Sequence, residues 1–143
     1  MPNVSFYILS SDQFKDYVKV ITKLAVKAFE AEHQVLIYSQ DAEILKPVDD
    51  HLWSFDSERF VPHVWVSSDD EIDESDPVIL ASFEPAYVRK DLLIQVADQV
   101  PDNFAQYQRI IEVMYQTPEY LAKGRERFRF YRSQGIEPTT IKL

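Results

Sequence analysis

Two glycines and no cysteine in 143 residues set the first limits on this chain. Phosphate-cradling loops need several glycines so that backbone N–H groups can close on the ligand, and Gly124 and Gly135 have no such company. The dinucleotide fingerprint and the P-loop are both excluded. The lack of cysteine removes disulfides, thiolate metal sites and a cysteine nucleophile, and it fits a reducing compartment. No run reaches the ~18 apolar residues of a membrane span, and the N-terminus has no basic segment leading into an apolar signal core. A cytoplasmic location is expected, with no membrane partner. Positive charge is also scarce: 15 Lys and Arg face 24 Asp and Glu, for a net charge of −9. Strong direct binding to nucleic acid depends on many basic contacts, so any basic patch here is expected to meet a protein.

What the chain does have is material for a core. At 45% hydrophobic and 13% aromatic residues, it can bury enough side chain to offset the entropy of ordering. Its length suits one domain over 1–143. "VSFYIL" (4–9) reads as a buried strand, and Phe14, Tyr17, Val18, Ile21, Leu24, Ala25 and Ala28 repeat at the spacing of one helical face. That predicts a helix over about 12–32, opened by a capping box of Ser10 and Gln13. "VLIYS" (35–39) then reads as a parallel partner of the first strand. The stretch 41–53 is predicted to be a helix divided at Pro47. "RFVPHVWV" (59–66) reads as a loop entering an edge strand, because Pro62 lacks a donor. Further strands are expected at 77–83, 91–97 and 107–115, and a second long helix from Pro118 to Ser133, stopped before Gly135. The order predicts a single three-layer α/β domain, with a mixed, mostly parallel sheet flanked by helices, Rossmann-like in outline but without a nucleotide-binding loop.

Three places invite a functional reading. "DDEIDESD" (69–76) is rich in oxygen ligands, yet it lacks an EF-hand glycine and reads as a solvated loop, so no metal is expected. His33, His51 and His63 fall in separate elements without ligand spacing. A small hydrolase using His63 and nearby acids is the enzymatic alternative, although no nucleophile elbow supports it and His63 reads better as a loop anchor. The third place is "GRERFRFYR" (124–132), with four arginines and one acid. At 100° per residue Leu121, Arg125, Phe128 and Arg132 fall on one stripe with Arg129 beside them, while Arg127 lies off to the other side. Such a face is either solvated decoration or an acceptor for an acidic peptide with an apolar anchor, and the residues alone leave both readings open.

"FYIL", "VLIYS", "LW" at 52–53, "FVPH" at 60–63, "DLLIQV" preceded by Arg89, "NFA" at 103–105 and "RERFRFYRSQG" at 125–135 follow one another almost end to end. Together they resemble the chi subunit of bacterial DNA polymerase III holoenzyme. The resemblance implies a non-catalytic accessory subunit of a DNA-directed DNA polymerase, without cofactor, at the bacterial replisome. It would be joined to the clamp loader through the psi subunit and would bind the acidic, phenylalanine-ended C-terminal tail of single-stranded DNA-binding protein. It implies Arg125 as the main tail-binding arginine, with Phe128, Arg129 and Arg132 beside it. The family's lysine one turn earlier is replaced here by Leu121, and Lys123 stands near but rotated away. The psi-binding side maps to Trp53, Phe60, Val61, Pro62 and His63, a surface a helicase can take instead. Whether Trp53 and Val61 are core or interface stays open at this point.

Overall fold

A computed structural model describes residues 1–55, 60–86 and 91–143. Its strands are β1 (Asn3–Ile8), β2 (Val35–Tyr38), β3 (Val64–Val66), β4 (Val78–Ala81), β5 (Leu92–Gln95), β6 (Arg109–Met114) and β7 (Thr139–Lys142). They lie in the order β3-β4-β2-β5-β6-β1-β7 within one sheet, so β2 pairs with β4 and β5 and not, as expected, with β1, which lies between β6 and β7. The described residues also form helices α1 (Phe14–Glu30), α2 (Ala42–Ser54) and α3 (Pro118–Ser133). Arg89, quoted in the family resemblance, lies outside the described residues.

All six strand pairings are parallel, so the sheet is wholly parallel rather than mixed. The reason is visible in β2, β4 and β5, where every residue is buried. Strands covered on both faces lose the polar alternation of an exposed antiparallel sheet. On one face Val35, Ile37, Leu80 and Ile94 pack under Tyr17, Ile21 and Ala25 of α1 and Leu45, Val48 and Leu52 of α2. On the other, Val4, Phe6, Ile79 and Ile110 meet Tyr131 and Phe128 of α3, with Phe104 and Tyr107. The three-layer α/β architecture is thus as expected.

Local differences have simple causes. Helix α2 runs unbroken through Pro47. A proline there loses one hydrogen bond to Glu43, but Glu43 is exposed, so its carbonyl can turn to water. Leu45, Val48 and Leu52 hold the helix to the core on both sides of the proline. Asp41 caps it by accepting from the Glu43 N–H at 2.9 Å. Helix α1 is not opened by a Ser10–Gln13 box. Instead Ser11 Oγ accepts from the Gln13 N–H at 3.0 Å and donates to Asp16 Oδ2 at 2.6 Å. At the far end of α3, Gly135 adopts φ +82°, and the Ile136 N–H reaches back to the Tyr131 carbonyl at 3.0 Å. That left-handed turn closes the helix and launches β7 along β1.

The acidic stretch folds on itself. Residues Asp69–Glu71 form a short 3-10 turn, and Asp73 accepts from the Ser75 N–H and hydroxyl, both at 2.8 Å. Among the described residues no three His, Asp or Glu converge as a ligand set.

Candidate functional site

Helix α3 starts where Thr117 Oγ1 accepts from the Tyr120 N–H and Pro118 occupies the first turn. Its inner side is formed by Gly124, Arg127 and Tyr131, all buried. A Cβ on Gly124 would collide with the end of the Met114 side chain, so the bare glycine lets the helix settle closely on β6. Arg127 points inward. Its Nε donates to Glu112 Oε1 at 2.9 Å and its Nη1 to the Asp98 carbonyl at 3.1 Å. The Tyr131 hydroxyl donates to the other oxygen, Glu112 Oε2, at 2.8 Å. Glu112 is fully buried, so each of its oxygens must find a donor inside the protein. Burial pushes the carboxyl up, while the Arg127 charge and the hydrogen bonds from Tyr131 and Arg127 pull it down.

With Arg127 committed to the interior, the outward face holds Arg125, Arg129 and Arg132, all exposed, and Phe128, half-buried. The Phe128 ring sits 5.3 Å from that of Phe6, so its inner edge is core and the rest is available. Arg132 Nε lies 3.3 Å from Glu137, and Lys123 Nζ lies 3.0 Å from Asp98 and 3.5 Å from Glu119. These carboxylates hold the Lys123 charge and raise its affinity for the proton, Asp98 first. Arg125 and Arg129 have no ion-pair partner among the described residues. Leu121, at the family's lysine position, packs against the core beneath α3. Helical spacing had set Arg127 apart from its neighbours. The signal that could have found its partner is Glu112, an acid set among the apolar Ile110, Ile111, Val113 and Met114 of β6, where burial calls for a cation.

A second face lies at the other predicted site. Trp53 is 60% and Phe60 61% exposed, with ring centroids 5.5 Å apart. His63 lies edge-on to Trp53 at 4.6 Å. Pro62 and His63 are half-buried. Val61 is 3% exposed and packs with the α1–α2 core, so it supports this surface from inside rather than forming part of it. The exposed pair here is two aromatics, brought together from α2 and the 60–63 loop.

The geometry gives the hydrolase alternative no support. His63 Nδ1 is 2.8 Å from the Val61 carbonyl, which can only accept, so this nitrogen carries a hydrogen. Nε2 is 3.3 Å from Asp49 Oδ1, within ion-pair range though not aligned as a hydrogen bond. The side chain is 1% exposed. No hydroxyl among the described residues hydrogen-bonds to either nitrogen, so no base and nucleophile are assembled. The ring anchors the loop to α2.

The family model described as "DNA polymerase III chi subunit, HolC" matches residues 1–139. The chain is 33% identical over 135 residues to the DNA polymerase III subunit chi of Pseudomonas aeruginosa, covering 94% of this chain and 92% of that protein. It is 26% identical over 136 residues to the Haemophilus influenzae subunit chi, with coverage of 94% and 93%. The Escherichia coli subunit chi is 25% identical over 145 residues, with coverage of 98% and 97%.

Proposed function

The chain belongs to the DNA polymerase III chi subunit family, and from that premise we propose that it is a replication adaptor with no catalysis of its own. It joins the clamp loader, through psi, to the acidic C-terminal tail of single-stranded DNA-binding protein, in the cytoplasm of a bacterial cell.

The observation that carries the tail-binding reading is the state of α3. In a protein of net charge −9, Arg125 and Arg129 stand exposed without an ion-pair partner among the described residues, beside the half-exposed Phe128. Arg125 offers its planar fork to the tail's terminal carboxylate, and Arg129 attracts the acidic residues behind it. The Phe128 ring receives the tail's phenylalanine, with Phe6 fixing it from below. Arg132 contributes after giving up Glu137. Lys123 ranks last, because it would first have to leave Asp98 and Glu119. A hydrogen bond to a charged group is worth ~1.5–3 kcal/mol, which predicts that Arg125→Ala weakens the tail peptide roughly tenfold or more. Titration of a labelled tail peptide checks this, and equal affinity for both proteins removes Arg125 from the site. Binding should also weaken with added salt, because the charged contacts are screened while the aromatic anchor is not.

The Trp53–Phe60 pair supports psi binding at the other face. Two large exposed rings held by a buried His63 form the kind of compact aromatic anchor that dominates interfaces. A helicase that competes with psi would use the same two rings. Pro62 contributes at the edge, His63 by supporting the two rings from beneath, and Val61 by keeping the loop seated.

A further inference from the structure

Charge is unevenly divided along this chain. Residues 41–84 hold thirteen of the 24 acids and two of the 15 bases, a net −11, whereas the remainder holds eleven acids and thirteen bases, a net +2. Topology turns this bias into a spatial one. The acidic stretch supplies α2, β3 and β4 at one end of the sheet, while α3 packs on β6 and on the opposite face. The exposed Trp53–Phe60 pair lies within the acidic part. Asp49 and Asp50 precede Trp53 by four and three residues on α2, which places both one turn away on its side of the helix. Asp50 is exposed and Asp49 is half-buried beside His63. Lys46 is the only Lys or Arg in α2, two turns before Trp53, and Lys15 and Lys19 of α1 line the groove that Asp50 borders.

We propose that the Trp53–Phe60 face takes a partner segment that combines an apolar anchor with flanking Lys or Arg side chains. This rests on reading that face as the psi surface, and it adds the chemistry of the occupant. The two rings supply the desolvated centre, and the aspartates at the rim set orientation and encounter rate. The same aspartates repel the acidic tail that α3 attracts, so the two faces sort two partners by the sign of their charge. A rim charge is screened by salt and the aromatic anchor is not, which separates the two contributions experimentally.

The test measures the affinity of purified psi from the same genome for the wild-type chain, Trp53→Ala, Asp50→Asn and the double variant Asp49→Asn/Asp50→Asn, at about 50 mM and about 500 mM salt. Asp50→Asn leaves the Asp49–His63 contact untouched, and thermal melts confirm that each variant is folded. Expected is a loss of ~100-fold or more for Trp53→Ala at both salts, and a loss of roughly three- to tenfold for the neutralised aspartates at low salt that disappears at high salt. Wild-type affinity of both aspartate variants at low salt, with Trp53→Ala still weak, overturns the charge inference and leaves the psi reading standing. Undiminished binding by Trp53→Ala overturns the psi reading and this inference with it.

Discussion

Replacing Arg127 with methionine keeps much of the side-chain length but removes the guanidinium that Glu112 meets at 2.9 Å. The carboxylate would remain fully buried with the Tyr131 hydroxyl as its remaining donor among those described. Breaking a buried pair in this way costs about 3–5 kcal/mol, chiefly the price of an uncompensated charge. Against a total stability of about 5–15 kcal/mol, that is a large fraction. At about 2–4 °C per kcal/mol for a domain of this size, the melting temperature should fall by roughly 10 °C. Urea unfolding followed by tryptophan fluorescence measures the change directly. The companion variant Glu112→Gln/Arg127→Met removes the orphan charge while keeping an acceptor for Tyr131. It should be more stable than Arg127→Met alone, with a coupling of about 2 kcal/mol or more between the two sites. An Arg127→Met protein within ~1 kcal/mol of wild type, or two substitutions whose effects simply add, would mean that this arginine does not hold the core.

High pH offers a second test. Burial pushes the phenol of Tyr120 up to about 12 against the opposing hydrogen bond from Tyr17, and burial likewise raises Tyr17, Tyr107 and Tyr131. These groups stay neutral in the fold while the unfolded chain ionises near 10.0. Their stabilising contribution is therefore complete below pH ~10 and is lost as pH rises toward ~12, by ~1.4 kcal/mol per pH unit for each phenol. Alkaline titration of the phenolate absorbance should show these tyrosines ionising together with loss of the near-ultraviolet circular dichroism signal; a smooth titration of all eight near pH ~10 in a folded protein would contradict it. Gly135→Ala, which forces a side chain into φ +82°, should destabilise by about 1 kcal/mol even though nothing lies within 4 Å of the new methyl group. Chemical denaturation reads that change, and an unaffected midpoint would remove the strain argument.

Much of this fold was legible because its periodicity is strong. The apolar spacing of α1, the runs at 35–38 and 78–81, and the bounds of α3 all follow from residues that a buried layer requires. Strand β7 was not foreseen. "TTIK" is mostly exposed and pairs only with β1, so it carries neither an apolar run nor a local partner in sequence. Pro47 misled because its local penalty is outweighed by the anchors on either side of it, which sequence spacing shows but does not weigh. The site was legible in part for the same reasons. Helical geometry separated Arg127 from the outward arginines without revealing that Glu112 and Tyr131 receive it. The pairing of Trp53 with Phe60 joins a helix to a loop, and no periodicity predicts such a contact. Nor could spacing alone distinguish exposed Phe60 from its buried neighbour Val61.

The proposed adaptor role requires that the α3 face and the Trp53–Phe60 face be able to hold two partners at once. Sedimentation of the chain with psi and the acidic tail peptide measures this most directly, using wild type, Arg125→Ala and Trp53→Ala. Wild type should form a three-part complex, Arg125→Ala should lose the peptide alone, and Trp53→Ala should lose psi alone. Mutual exclusion of psi and peptide, or loss of both partners from either substitution in a folded protein, would contradict it.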